Sequence, residues 1–364
     1  MGVYMKHASF MPTDSNLRHN PHSIHTHKAN NSRMKQMAQK DKTVLVVGGA
    51  GYIGSHMVKM LHGHGYTVAT LDNLSTGYRD AVPGGEFISG DLADRALLDE
   101  LFDKRKFDGV MHFASFIQVG ESVQNPAKYY ENNASNTLNL LDAMVAHDIK
   151  RFIFSSTAAV YGEPVRIPID EAHPKNPINP YGRSKWIVEQ ILADYDRAYD
   201  FKSICLRYFN AAGADPEGQL GERHQPETHL IPLVLQAASG RRANIQVYGR
   251  DYDTPDGTCI RDYVHVADLC QAHLLAFERL LGGSGSAAYN LGNGNGFSVQ
   301  EVISTAERVT GRAIPVKDVA RREGDPARLV ADAGLARQEL GWRPEYGNLE
   351  TIIRHAWQWE QRHE

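Results

Sequence analysis

The sequence predicts an α/β fold, a doubly wound parallel sheet joined to a smaller mixed α/β C-terminal lobe. Three observations predict it. Apolar runs alternate with helical patterns over about 170 residues, as stacked strand–helix units require. The first run, T-V-L-V-V at 43–47, is continuous and β-branched, which suits a strand buried on both faces. Past residue 211 the texture loosens, with Gly, Pro and Asp frequent in A-D-P-E-G-Q-L-G-E and Y-D-T-P-D-G-T. That pattern reads as short elements separated by long loops.

The elements follow in order. After 43–47, glycines lead into Ile53, Met57, Val58 and Leu61 at helical spacing. Further strands are expected at 66–71, 86–89, 109–113, 151–155 and 203–209, with helices around 92–103, 133–147 and 183–199. The expected organisation is a dinucleotide-binding domain over 43–210 and a substrate lobe over 211–364, with a segment around 256–272 returning to the first domain. Residues 1–42 are rich in His, Asn, Ser, Lys and Met and lack apolar periodicity. They read as a disordered or non-native extension, with Met34 or Met37 as alternative starts. His22, His25 and His27 lie in this segment without a supporting carboxylate or thiol, and no metal ligand is assigned anywhere in the chain.

Composition narrows the function. The 364 residues are 42% hydrophobic and 23% charged, an ordinary globular balance. A net charge of −4 argues against a dedicated nucleic-acid binder. No apolar run is long enough to predict a membrane span. The three cysteines, Cys205, Cys259 and Cys270, form no C-x-x-C pair. An odd number without such a pair points to buried thiols in a reducing compartment, hence the cytoplasm.

The sequence G-G-A-G-Y-I-G spans 48–54. A glycine motif alone is a weak signal, but here it follows a strand and opens a helix. Gly48, Gly51 and Gly54 let the backbone approach a pyrophosphate, and the helix N-terminus offers free N–H groups to it. Asp72 ends the second strand, 21 residues after Gly51. A carboxylate there accepts from the adenosine ribose and repels a 2′-phosphate, which favours NAD over NADP. G-D-L at 90–92 closes the next strand and suits an adenine-edge contact through Asp91 and Leu92. This is the Rossmann-type version of the doubly wound sheet.

Two further motifs carry the chemistry. Y-G-R-S-K at 181–185 sets Tyr181 and Lys185 at i and i+4, on one face of a helix. A phenol is a poor base at its usual pKa of about 10, and a nearby ammonium favours the phenolate. F-S-S-T-A-A-V-Y-G at 154–162 puts a hydroxyl, Thr157, at a strand end 24 residues earlier. A protein that only bound NAD would have no use for a Thr, Tyr and Lys set.

Together with V-G-E-S-V at 119–123, L-R-Y-F-N-A-A-G-A at 206–214, D-G-T-C-I-R-D-Y-V-H-V at 256–266, Y-N-L-G at 289–292 and R-R-E-G-D at 321–325, these motifs resemble the sugar-nucleotide epimerases of the extended short-chain dehydrogenase/reductase family. The resemblance runs from about residue 43 to 363. It implies a tightly held NAD, regenerated at each turnover, and a UDP-hexose inverted at C4 through a 4-keto sugar. Tyr181 is implied as the base, Lys185 as its tuner and a nicotinamide-ribose ligand, and Thr157 as a partner of the sugar 4-oxygen. On the cofactor side the resemblance implies Gly48, Gly51, Tyr52, Ile53 and Gly54, then Asp72, Asn73, Asp91 and Leu92, then Phe113, Ala114, Asn132, Ser155 and Tyr208. For UDP it implies Asn210, Arg261, Arg322 and Asp325. It also implies a homodimer formed through helices of the nucleotide domain.

Three departures qualify the resemblance. Relatives carry Lys just before V-G-E-S, where this chain has Ile117 and Gln118. Some relatives carry a bulky Tyr where this chain has Leu329, which leaves room for an N-acetyl group. UDP-pentoses and UDP-glucuronate are further alternative substrates. Sister dehydratases mount an Asp-Glu pair after the strand-end Thr to expel water. Ala158 and Ala159 stand there and cannot transfer protons.

Overall fold

The computed structural model describes residues 42–322 and 325–363, so the tail assigned above to 1–42 lies, but for Lys42, outside the described residues. Six strands of the N-terminal region, β1 (Thr43–Val47), β2 (Thr67–Asp72), β3 (Glu86–Ser89), β4 (Gly109–His112), β5 (Arg151–Thr157) and β6 (Lys202–Tyr208), build one parallel sheet. A seventh strand, Ala287–Leu291, pairs parallel with β6 at the edge. The order is Ala287–Leu291, β6, β5, β4, β1, β2, β3. The chain leaves β1 in one direction for β2 and β3, then crosses back to β4. Between β1 and β4 the connections diverge, and the carboxyl ends of the strands there form a crevice for a ligand.

Alternation along β1 explains the two layers. Val44 and Val46 face one side, with Met57, Val58, Leu61, Leu269 and Phe277 from the helices Tyr52–Gly63 and Val266–Leu281. Leu45 and Val47 face the other, with Leu101, Leu141, Val188 and Leu192 from the helices Arg95–Lys104, Asn136–Ala146 and Pro180–Tyr199. Burial on both faces is why the run at 43–47 shows no polar alternation. The return of the chain to this sheet extends beyond the 256–272 expected from sequence. The whole helix Val266–Leu281 packs on it, and Tyr289 and Leu291 are fully buried in the edge strand.

The C-terminal lobe has its own core. The helices Leu230–Ser239, Val299–Thr310 and Leu349–Glu360 bury Val234, Leu235, Val302, Ile303, Ile352 and Ile353 around the short strand Ile245–Tyr248. Two-residue strands at Ile260–Arg261, Phe297–Ser298 and Arg328–Leu329 form a small mixed sheet beside it.

Phe277 tests the first of these layers. It is fully buried, and its ring fills the space that a side chain at Gly109 would occupy. Phe277→Ala should cost about 3–5 kcal/mol by cavity creation. Val123→Ala, at a side chain 62% exposed, should stay within about 0.5 kcal/mol. Urea denaturation midpoints check both, and equal midpoints would contradict this packing.

Candidate active site

The glycine loop separates into two roles. At Gly54 an added Cβ would lie 2.1 Å from the Gly48 carbonyl, and at Gly48, with φ +77°, it would lie 2.5 Å from the Ala114 amide nitrogen. Both are glycine because the protein's own backbone crosses there. At Gly51 a Cβ would meet only the Gly48 carbonyl, at an ordinary 3.4 Å. Packing therefore does not require glycine at 51, and the bare backbone opens onto the cleft at the N-terminus of the helix Tyr52–Gly63. An anion approaching closely does require it.

That cleft encloses about 570 Å³ including its open mouth. Gly48, Gly51, Asp72, Asn73, Asp91, Leu92, Phe113, Ala114 and Asn132 all line it, with Ser115 and Phe116. Asp72 is fixed by its own loop: its carboxylate accepts from the Ala50 amide at 2.9 Å and the Leu74 amide at 2.8 Å. Burial raises its pKa, and those two amides work against the rise. Asn73 donates to Asp91 at 2.6 Å, which joins two strand ends into one rim. The cleft thus has a carboxylate where a ribose is expected and a helix N-terminus where a pyrophosphate is expected, so its residues fit NAD.

Other expected cofactor residues face elsewhere. The Tyr52 side chain turns under the C-terminal lobe, its hydroxyl donating to the Gly213 carbonyl at 2.6 Å. Ile53 packs against the core, and Gly54 sits on Gly48. These three can reach a pyrophosphate only through their backbone N–H groups, the first in the helix and without partners inside it.

Thr157 ends β5 and its hydroxyl accepts from the Ala159 amide at 3.1 Å, capping the turn Ala158–Val160. The helix Pro180–Tyr199 begins with Pro180 after Asn179, whose side chain accepts from the Gly182 amide at 2.8 Å. A Cβ at Gly182 would lie 2.5 Å from the Ala159 carbonyl. The helix start is therefore pressed onto the alanine turn, which brings Tyr181 within hydrogen-bonding reach of the Thr157 hydroxyl. Burial pushes the Tyr181 phenol up, and Thr157 pulls it part of the way down.

Lys185 lies one turn further along. Its ammonium donates to Ser115 Oγ at 2.6 Å and to the Ser155 carbonyl at 2.9 Å, and sits 4.8 Å from the centre of the Phe154 ring. Burial pulls it down to about 7, against the opposing attraction of Glu189. Among the described residues no hydrogen bond joins Lys185 to Tyr181. The lysine reaches instead to the ends of β4 and β5, the side of the site where the dinucleotide cleft opens. Tyr208 pairs with Thr157 across β5 and β6. Burial raises its phenol too, with Tyr181 adding to the rise.

Several residues beneath the site escaped the sequence reading. Glu189 and Arg207 form a buried bidentate ion pair, at 3.0 and 3.1 Å through Nε. Ser156, beside Thr157, donates to the same Glu189 at 2.5 Å. Arg207 also donates to the Tyr161 hydroxyl at 3.0 Å, which donates to Asn290 at 2.6 Å. Asn133 accepts from the Phe116 amide at 2.9 Å and donates to Ser184 at 3.2 Å, tying the cleft wall to the helix Pro180–Tyr199. It lies in a π-helical turn, Glu131–Ser135, a local feature frequent at functional sites. Ser115 carried no motif. At the departure noted above, Ile117 is exposed, and the nearby cation is Lys128, 4.2 Å over the Phe116 ring and paired with Glu121 at 2.6 Å.

The residues expected to hold UDP gather in the C-terminal lobe. Asn210 donates to the Asp262 carbonyl at 2.9 Å. The fully buried Asp262 carboxylate accepts from the amides of Asn293, Gly294 and Ala331 at 2.6, 3.0 and 3.1 Å, which gathers two separate segments around it. Arg261 pairs with Asp325 and donates to the Ile260 carbonyl at 2.7 Å. Arg322 stacks on the Tyr248 ring at 3.9 Å. Leu329 lies opposite Arg261 in the small sheet.

A dinucleotide cleft, a Thr, Tyr and Lys set joined to its wall by the Lys185–Ser115 hydrogen bond, and cations in the C-terminal lobe mark a nicotinamide-dependent enzyme of the short-chain type. The chain belongs to the NAD dependent epimerase/dehydratase family, which matches residues 44–292. It is 54% identical over 321 residues to a UDP-glucose 4-epimerase of Rhizobium leguminosarum bv. trifolii, covering 88% of this chain and 98% of that one. It is 52% identical over 320 residues to a UDP-glucose 4-epimerase of Halalkalibacterium halodurans, covering 88% and 96%. Its fold matches the crystal structure of UDP-glucose 4-epimerase from Brucella ovis in complex with NAD, with a TM-score of 0.86, 53% identity, and coverage of 87% and 97%.

The two glycine roles make opposite predictions. Gly51→Ala should fold normally and lose bound NAD, because its Cβ has room until a pyrophosphate arrives. Gly54→Ala should lose folded protein, because its Cβ meets backbone. Thermal melts and the nucleotide released on acid precipitation separate them. A Gly51→Ala protein with full NAD content would contradict the assignment.

Proposed function

We propose that this chain is a UDP-glucose 4-epimerase, interconverting UDP-galactose and UDP-glucose in galactose metabolism and in the supply of precursors for cell-surface polysaccharides. The observation that carries this reading is the Thr157, Tyr181 and Lys185 set, tied to the wall of a dinucleotide cleft through Ser115 and next to a turn that carries no acid. Relatives at about half identity share the named activity. They favour the hexose substrate over the N-acetylated, pentose and uronate alternatives.

Tyr181 removes the proton from the sugar 4-hydroxyl, and Thr157 hydrogen-bonds the same oxygen. NAD, held by the glycine loop, Asp72 and Lys185, would supply hydride-transfer chemistry at C4 of the sugar. Lys185 holds the nicotinamide ribose, from its place between Ser115 and Ser155. Asp72 accepts from the adenosine ribose, and Asn73, Asp91 and Leu92 line the adenine end. Arg261 and Arg322 take the diphosphate through charge-assisted hydrogen bonds, while Asp325 and Asn210 fix the uridine side. The sugar turns over while this lobe keeps its grip on UDP. Ala158 and Ala159 offer no acid or base to expel water, so the keto sugar can only be reduced again.

Under this reading the protein is a cytoplasmic homodimer. Its three cysteines are free and buried, which suits a reducing compartment. Among the described residues no helix is long and apolar enough to cross a membrane. Leu138 and Ile187 stand exposed on the neighbouring helices Asn136–Ala146 and Pro180–Tyr199, an apolar surface that suits a second copy.

Tyr181→Phe tests the reaction. Loss of a general base costs roughly 10²–10⁴-fold in turnover, while the NAD content should match that of the unaltered protein. A coupled assay of UDP-galactose conversion reads the first and acid release of nucleotide the second. Turnover unchanged in Tyr181→Phe would sink the catalytic assignment.

A further inference from the structure

The loop between the two lobes carries a set of side chains that the reaction does not use. In G-E-R-H-Q-P-E-T-H at 221–229, Glu222, His224, Glu227 and His229 turn inward together. One donor atom from each lies within 4.8 Å of all the others. His224 Nδ1 is 3.0 Å from Glu222 and 3.7 Å from Glu227. His229 Nδ1 is 2.8 Å from Glu222 and 2.9 Å from Glu227. A tetrahedral zinc with N and O ligands at about 2.0–2.1 Å has donor–donor edges of about 3.3 Å, and the four separations, taken to one Glu222 oxygen and to either Glu227 oxygen, run from 2.8 to 3.7 Å around that value.

We propose that Glu222, His224, Glu227 and His229 form a structural site for a divalent transition metal, with zinc its natural occupant. The ligand types suit zinc, and four protein ligands leave no open position for a substrate, as in a structural rather than a catalytic site.

The charge balance agrees. Both carboxylates are buried, with side chains 6% exposed. Two buried carboxylates need two positive charges beside them. Two protons on the histidines would supply these. That solution places two imidazolium rings with their centres 5.2 Å apart, both aimed at one Glu222 oxygen. One zinc ion with two neutral imidazoles carries the same total charge at the point where the four donors converge, without that repulsion.

The supporting contacts are in place. Glu227 accepts from the amides of Thr228 and His229 at 2.7 and 2.8 Å, which fixes the carboxylate. The Glu222 carbonyl accepts from the Trp359 indole at 3.1 Å. The His224 ring meets the Tyr52 ring edge-on at 6.3 Å, and Arg223 covers Tyr78 at 3.5 Å. The metal would therefore pin the C-terminal lobe to the helix that opens the dinucleotide loop. No single spacing pattern announces this set. It depends on the loop folding back on itself.

Full-length NAD-bound protein, purified without an affinity tag, is stripped with a chelator, reloaded with zinc, freed of excess and analysed for metal. A second preparation carries His22→Ala, His25→Ala and His27→Ala, so that the N-terminal histidines cannot supply the signal. Both should retain about one zinc per chain, and His224→Ala/His229→Ala should retain almost none. Cobalt loaded in place of zinc should give the intense visible absorption of a tetrahedral site, a readout that does not depend on the loop variant folding. Zinc that disappears with the N-terminal substitutions, persists in the loop variant, or fails to stay on the unaltered chain overturns the site. So does a weak, octahedral cobalt spectrum.

Discussion

One buried ion pair sets the geometry of the reaction centre. Glu189 lies one turn past Lys185 on the catalytic helix, and Arg207 lies on β6. Their pairing, with Ser156 of β5 as third partner, clamps three elements at the level where Thr157, Tyr181 and Lys185 emerge. Removing one partner of such a pair leaves an uncompensated charge in the interior and costs about 3–5 kcal/mol. The pair is worth retaining for position rather than for net stability. A hydrophobic replacement could fill the space, but it could not hold Ser156 and Tyr161 to the same two groups.

Above this clamp the site is shaped by what is small. Ala158 and Ala159 form a tight turn that Gly182 approaches closely, so the helix start can bring Tyr181 to Thr157. A carboxylate side chain on this turn would add proton chemistry beside the 4-keto sugar. The same two alanines thus answer a packing demand and a chemical one. Burial raises Tyr181 and lowers Lys185, which leaves both groups nearer to neutral than they are in water. A positive charge placed beside such a phenol favours its phenolate form.

Much of this was legible in the chain because it is local. The run Thr43–Val47, the glycines that follow and Asp72 are read along one strand–helix–strand unit, and the structure brings them to one cleft. Tyr181 and Lys185 are read from one helical turn. Contacts between segments distant in sequence were not legible. Glu189 and Arg207 are 18 residues apart, Lys185 and Ser115 are 70, and Asn290 meets Tyr161 across 129. The place of the Tyr52 side chain was not legible either: its hydroxyl reaches Gly213 and its ring meets His224, at the boundary with the C-terminal lobe. The final strand of the main sheet, Ala287–Leu291, was missed because its partner β6 lies far back along the chain.

The central claim is that C4 of the sugar is oxidised and reduced again by the same hydride, held within one active site. UDP-galactose carrying deuterium at C4, converted in ordinary water by the protein with only the NAD it was purified with, measures this directly. The account predicts UDP-glucose with its deuterium retained at C4. Loss of the label to solvent would mean that the proton and hydride do not follow the path through Tyr181 and NAD, and would contradict it.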